Sequence, residues 1–247
     1  MLPDGVVKGG TAMKIRVGEA ASRFTPDFDA SRSRNVELDE YVALFQERLA
    51  QGWGGFTATI AELEPAQPAE VPAEYVMRPF QIRLAYLGRH WLSVDFELGH
   101  DEIGSSEEYE LRIADDIVSI FAVLDLDQPS PIPVMAVEHQ VVQKLHACTG
   151  VNPKTGRNER AHDLVDLQIL ESEEQIDLAR VAELGDRLFR ARQTHQWPPT
   201  VEEYEDWDTI YATAAEDLDV IANVSEAVEW ANDLISRCAA AADSAGG

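Results

Sequence analysis

Lys8-Gly9-Gly10-Thr11, followed shortly by Arg23-Phe24-Thr25-Pro26-Asp27-Phe28-Asp29, is the stretch on which the fold turns. Gly5-Val6-Val7-Lys8 is a short apolar run that reads as a buried strand, and the glycine pair ends it. A helix is expected over 11–17, and an extended segment over 23–30. Paired glycines between strand and helix let the backbone approach a phosphate closely. The helix N-terminus adds N–H donors and partial positive charge. Read alone, the glycine pair is equally a simple turn. On an extended segment, period two places Arg23, Thr25, Asp27 and Asp29 on one face and Phe24, Pro26 and Phe28 on the other. Two carboxylates so spaced can share divalent cations for in-line phosphoryl or nucleotidyl transfer, and magnesium suits their hard oxygens. The plain alternative is a solvent-facing strand edge.

Outward from this stretch, residues 36–50 show helical spacing through Val36, Tyr41, Leu44, Phe45 and Leu49, ending at Gly52. Strands are expected over 55–63, 75–87 and 91–98, with a Pro/Ala/Glu-rich loop over 64–74 and a turn at Gly88. A polar loop follows Gly99, residues 113–124 read as helix, and Pro129–Pro133 as a break. Beyond that break, 137–147, 160–170, 174–192, 201–218 and 224–238 all favour helix, and the small-residue tail from Ala239 is expected to fray. The pattern is α+β: a mixed-sheet domain over 1–133, then a helical domain over 134–247.

The chain has 247 residues, 45% apolar and 26% charged, enough to bury a core. No run approaches the roughly eighteen apolar residues of a membrane span, and no basic-then-apolar leader opens the chain. Cys148 and Cys238 are too few for a disulfide scaffold, so a cytoplasmic protein without a membrane partner is expected. Forty-five acids against twenty bases leave a net charge of −25, which excludes a general nucleic-acid coat protein. Two stretches run against this field: residues 1–34, and residues 141–161 with Lys144, Lys154, Arg157 and Arg160 against Glu159. An anionic ligand would be drawn there. The six histidines show no zinc-site spacing, and Cys148 reads as a buried inert thiol.

Further on lie Glu138-His139-Gln140-Val141-Val142-Gln143-Lys144-Leu145-His146-Ala147 and Arg160-Ala161-His162-Asp163-Leu164-Val165-Asp166-Leu167. Together with KGGTAMKIR and RFTPDFD, these segments resemble the AbiEii-type nucleotidyltransferase toxins, within the polymerase-β-like nucleotidyltransferases. The later two are similar to that family's KL-x-A helix and R-x-x-D-L-x-D-L helix. The resemblance implies a nucleotidyltransferase-like mixed-sheet domain and a helical C-terminal domain, with Lys144 and Asp163 facing Asp27 and Asp29 across a cleft. It implies that Lys8, Gly9, Gly10, Thr11 and Thr25 bind the nucleoside triphosphate, that Asp27 and Asp29 hold Mg2+, that Lys144 neutralises phosphate charge, and that Asp163 orients. Such enzymes usually complete the metal site with a third carboxylate on a neighbouring strand. Asp95 and Glu97 alternate with Val94, Phe96 and Leu98, and Asp95 is preferred. Asp166 reads as a structural partner of a nearby base. The implied reaction is attack of an acceptor hydroxyl on the α-phosphorus with release of pyrophosphate, by the toxin of a toxin–antitoxin pair. The same resemblance implies as acceptor a tRNA 3′ end gripped over a small footprint, or a protein hydroxyl, and a cognate antitoxin as an expected partner. The alternatives are a degenerate module that binds nucleotide or a partner without turnover, and a small-molecule nucleotidyltransferase. The family also carries a helical stretch ahead of the glycine turn; either the start of this sequence is misassigned or that brace is absent, and its loss would expose Val6 and Val7.

Overall fold

The computed structural model describes residues 2–64, 77–152 and 154–245. The loop expected over 64–74 and the first two residues of the strand expected from Tyr75 fall almost wholly outside them. Two compact units are present: Met1–Arg16 with Thr25–Met135, and Val17–Phe24 with Ala136–Gly247. A single cut in the sequence cannot express this, because the segment after the first helix belongs with the helical unit.

The first unit is built on a seven-stranded mixed sheet in the order β3-β4-β5-β2-β1-β7-β6. Its strands are β1 (Gly5–Lys8), β2 (Asp27–Arg32), β3 (Phe56–Glu62), β4 (Arg78–Tyr86), β5 (Arg89–Gly99), β6 (Tyr109–Arg112) and β7 (Ile132–Met135). Helices α1 (Gly9–Val17), α2 (Leu38–Gln51) and α3 (Asp115–Val123) complete it. Tyr41, Phe45 and Leu49 recur every fourth residue, so α2 lays one apolar stripe on Ala30, Ala58, Phe80, Ile82, Phe96 and Leu98 of the sheet. Ala12 and Ile15 of α1 pack likewise on Val7 and Val134. Phe28 joins both clusters and stacks on Phe96 at 5.2 Å. Alternation therefore commits the opposite sheet face to Lys8, Asp27, Asp29, Asp95 and Glu97.

Four expectations are corrected. Val6 and Val7 are fully buried, because β1 lies inside the sheet between β2 and β7. The extended segment enters the sheet only at Asp27: Pro26 has no N–H to give a ladder. The polar loop and the proline break contain β6 and β7, which pair antiparallel from Tyr109↔Met135 to Arg112↔Ile132. Pro133 is accommodated because β7 meets β1 at Val7↔Val134 alone, and proline's fixed φ is compatible with extended chain. The tail does not fray at Ala239; α8 runs to Ala245, since alanine is the strongest helix former.

The second unit consists of α4 (Val137–Thr149), α5 (His162–Glu173), α6 (Leu178–Arg192), α7 (Trp207–Ala214) and α8 (Val224–Ala245). Helix α5 is its core: every residue from Asp163 to Leu170 is buried, with α4, α7 and α8 packed around it. Trp207 is buried with its indole N–H donating to Asn158 O at 2.7 Å, and Trp197 lies against Gly185, so these tryptophans pack helices.

Candidate active site

Parallel pairing sets β2 beside β5 with Asp27 opposite Asp95 and Asp29 opposite Glu97. Four carboxylates thus occupy neighbouring positions on one sheet face. Antiparallel pairing places Lys8 opposite Asp29 on the same face. The lysine Nζ lies 3.3 Å from Met77 Sδ, and a Cβ at Gly99 would sit 3.0 Å from it. Asp27 and Asp95 are exposed; Asp29 and Glu97 are half-buried. Like charges directly opposite in a sheet are destabilising, so this grid is a place that gains from a bound cation.

The glycine turn abuts these acids. Gly9 has φ of +63°, which L side chains rarely adopt, and a Cβ there would enter the Asp29 carboxylate, whose carbon would lie 2.9 Å away. A Cβ at Gly10 would lie 2.7 Å from Thr25 Cβ and Oγ1. Thr11 Oγ1 donates to Asp27 O at 2.8 Å. Gly9, Gly10, Thr11, Thr25, Asp27 and Asp29 are therefore one constellation, with the start of α1 drawn down onto the start of β2.

Among the described residues, no three His, Cys, Asp or Glu side chains are gathered to hold a metal ion as they stand. The donor set nevertheless fits magnesium. It is all carboxylate, in facing pairs, beside a turn whose two glycines let the Asp29 carboxylate and Thr25 pack directly against the backbone.

In the helical unit, Lys144 is buried with its Nζ 3.2 Å from Asp163 Oδ1 and 2.5 Å from Asp166 Oδ2. Both aspartates are wholly buried. Arg23 forks onto Asp166, Nε lying 3.0 and 3.1 Å from its two oxygens, and Arg160 Nε donates to Asp163 Oδ2 at 2.8 Å. Burial pushes the Asp163 carboxyl up, but Lys144 and then Arg160 outweigh it and hold its pKa at about 2. Burial lowers His162 beside it to about 4. Arg23, placed by alternation with Thr25, Asp27 and Asp29, is instead an Asp166 partner in the helical unit, because residues 23–26 precede the strand. Asp166 thus has basic partners, as expected of it, in Lys144 and Arg23, and Arg160, the arginine of the R-x-x-D-L-x-D-L segment, pairs with Asp163; what carried no local signal is that Arg23 is one of those partners.

A sheet face with paired carboxylates beside a strand–Gly-Gly–helix turn, carried with a helical unit, is the arrangement of a nucleotidyltransferase. Residues 3–234 match the family described as nucleotidyl transferase AbiEii toxin, type IV toxin–antitoxin system, and the chain belongs to that family of nucleotidyltransferase enzymes. Its fold is similar to that of MenT4, a nucleotidyltransferase toxin from Mycobacterium tuberculosis H37Rv. The two are 19% identical over 96% of this chain and 84% of that chain, with a TM-score of 0.52. No curated protein matches the sequence.

Proposed function

We propose that the chain transfers a nucleotide from a nucleoside triphosphate to an acceptor hydroxyl on RNA, as the toxin of a toxin–antitoxin pair. The observation that carries this reading is the in-register pairing of Asp27 with Asp95 and Asp29 with Glu97, directly beside the Gly9–Gly10 turn. Asp27, Asp29 and Asp95 would hold Mg2+, which when bound supplies charge neutralisation to the phosphates. The backbone of Gly9 and Gly10 and the first N–H groups of α1 bind the triphosphate, and the two glycines let Asp29 and Thr25 pack tightly against that turn. Lys8 adds a positive charge on the same face, and Thr25 a hydroxyl against the turn. The acceptor oxygen bonds to the α-phosphorus, the bond to the β-phosphate breaks, and pyrophosphate leaves. Preorganised donors and cations lower the barrier by meeting charge where it develops.

Lys144 is assigned to phosphate neutralisation and Asp163 to orienting it; their 3.2 Å ion pair supports the orienting part. A cognate antitoxin is the expected partner. No helix among the described residues is long and apolar enough to cross a membrane, and both cysteines are free and buried, which suits a cytoplasmic protein.

The test is incubation of the purified protein with labelled triphosphates, magnesium and total RNA. Label on RNA is the expected result, and label on small acceptors alone would replace RNA with a metabolite. Wild type and Asp27→Ala behaving alike would remove the basis for catalysis at this face and leave a binding module.

A further inference from the structure

The last turn of α4, loop residues 150–152 and 155–160 and residues Thr194–His195 line an open cavity of about 470 Å³ within the helical unit. It sits on the basic stretch that the sequence sets against an otherwise acidic chain, and Arg157 and Arg160 line it. The loop is built, not slack. Asn158 donates to the carbonyls of Ala147 and Gly150 and accepts from Arg160 N at 2.6 Å, while Asn152 N donates to Arg157 O at 2.9 Å.

The opposite wall is a chain of hydrogen bonds with one consistent direction. Arg192 can only donate, so His146 Nδ1 accepts from it at 3.0 Å and the imidazole proton lies on Nε2. That proton goes to Thr194 Oγ1 at 2.9 Å, and Thr194 donates to His195 Nδ1 at 3.0 Å. His195 Nε2 then donates to Thr149 Oγ1 at 2.8 Å, which donates to Leu145 O at 2.6 Å. Both imidazoles are neutral in this arrangement. The cavity's charged lining is Arg157, Arg160 and Glu159, set among hydroxyl and amide groups; Arg160 is held by the buried Asp163 at 2.8 Å, so Arg157 is the cation a ligand engages.

Arg157 pairs with Asp206 at 2.9 Å and Glu205 at 3.4 Å, all three side chains more than half exposed. Exposed pairs of this kind are weak and exchange readily for a better anion. A guanidinium prefers the two-oxygen edge of a phosphate. The cavity is larger than a phosphate needs and falls in the range of small-ligand pockets. We propose that it takes one phosphate-bearing nucleotide of single-stranded RNA, the strand that serves as acceptor. The assignment of the strand as acceptor rests on the nucleotidyltransferase reading; the binding itself does not. In a molecule of net charge −25 such a footprint stays confined to this island.

The test is fluorescence anisotropy of a short labelled single-stranded RNA on the full chain. Arg157→Gln should weaken binding about tenfold, and Arg157→Glu more, with the salt dependence of log K shallower by about 0.7 per lost contact. The urea midpoint should be unchanged, since Arg157 is exposed, and Asp27→Asn should bind RNA as wild type does. Equal RNA affinity in wild type and both Arg157 variants overturns the proposal. Inorganic phosphate displacing the RNA at equal concentration overturns it as well, leaving a free-phosphate pocket. If Arg157→Gln loses RNA affinity while wild type labels no acceptor, the pocket stands and the enzymatic reading fails. If wild type and Arg157→Gln label subsaturating RNA equally well, the reverse holds.

Discussion

Gly9 and Asp29 exclude any larger partner: the space a side chain would need at Gly9 is held by the Asp29 carboxylate. The backbone at Gly9 also has positive φ, so two independent constraints meet at one residue. Gly9→Ala must both strain the backbone, at about 1 kcal/mol or more, and push Asp29 off its position. Nucleotide transfer should fall at least a hundredfold in steady-state assays while the urea midpoint moves only modestly. Near-normal transfer by Gly9→Ala would show that Asp29 tolerates displacement and is not a metal ligand.

The third carboxylate is resolved by comparing Asp95→Asn with Glu97→Gln. Asp95 lies opposite Asp27, Glu97 opposite Asp29, and either substitution removes a facing like-charge pair worth about 0.2–1 kcal/mol of repulsion. Asp95→Asn should therefore melt slightly higher than wild type in metal-free buffer. Only the residue that completes the metal site should also lose transfer and shift the magnesium dependence to higher concentration. Asp95 is the expected one. A variant with raised melting temperature and intact transfer is thereby excluded from the site.

The constellation around the turn was legible because its signals are local. A glycine pair after an apolar run and acids at alternate positions need no tertiary information, and Tyr41, Phe45 and Leu49 announced the α2 stripe. What escaped was long-range or contrary to propensity. β7 is held by its neighbours despite Pro131 and Pro133, which local rules read as a break. Arg23 sits four residues before Asp27 yet bonds Asp166, 143 positions away, and nothing in its own neighbourhood specifies that partner. By spacing alone Asp163 and Asp166 share one side of a helix, and a nearby base is the expected partner of Asp166. Only the burial of α5 on every side reveals them as interior charges that must be paired.

That pairing makes a strong stability prediction. Asp166 receives Lys144 and the fork of Arg23 with no exposure to solvent. Asp166→Ala leaves Lys144 and Arg23 without this partner in a buried setting, and breaking such a pair costs about 3–5 kcal/mol. Urea denaturation at neutral pH should show that loss. Asp206→Ala, which removes an exposed partner of Arg157, should cost under about 1 kcal/mol by the same measurement. Equal effects of the two substitutions would mean that the α5 cluster is hydrated and open.

Acid should unfold the helical unit in a defined window. Burial lowers His162 to about 4 and His146 to about 2, so in the folded protein both stay neutral where the unfolded chain takes up protons near pH 6.5. A depressed folded pKa means that the stabilisation is complete above the unfolded value and drains away as pH falls towards the folded one. Each histidine held neutral contributes about 1.4 kcal/mol per pH unit inside its window. The unfolding free energy should thus fall from about pH 6 downward with a slope of roughly two protons. Asp163, held at about 2 by Lys144 and Arg160 against the opposing effect of burial, adds its own loss only below about pH 4. His146→Phe removes one titrating group and should flatten the slope by about one proton between pH 6 and 5, whatever it does to absolute stability. A wild-type urea midpoint that does not change between pH 6.5 and 4.5 would show that these imidazoles titrate normally and that burial does not hold them neutral.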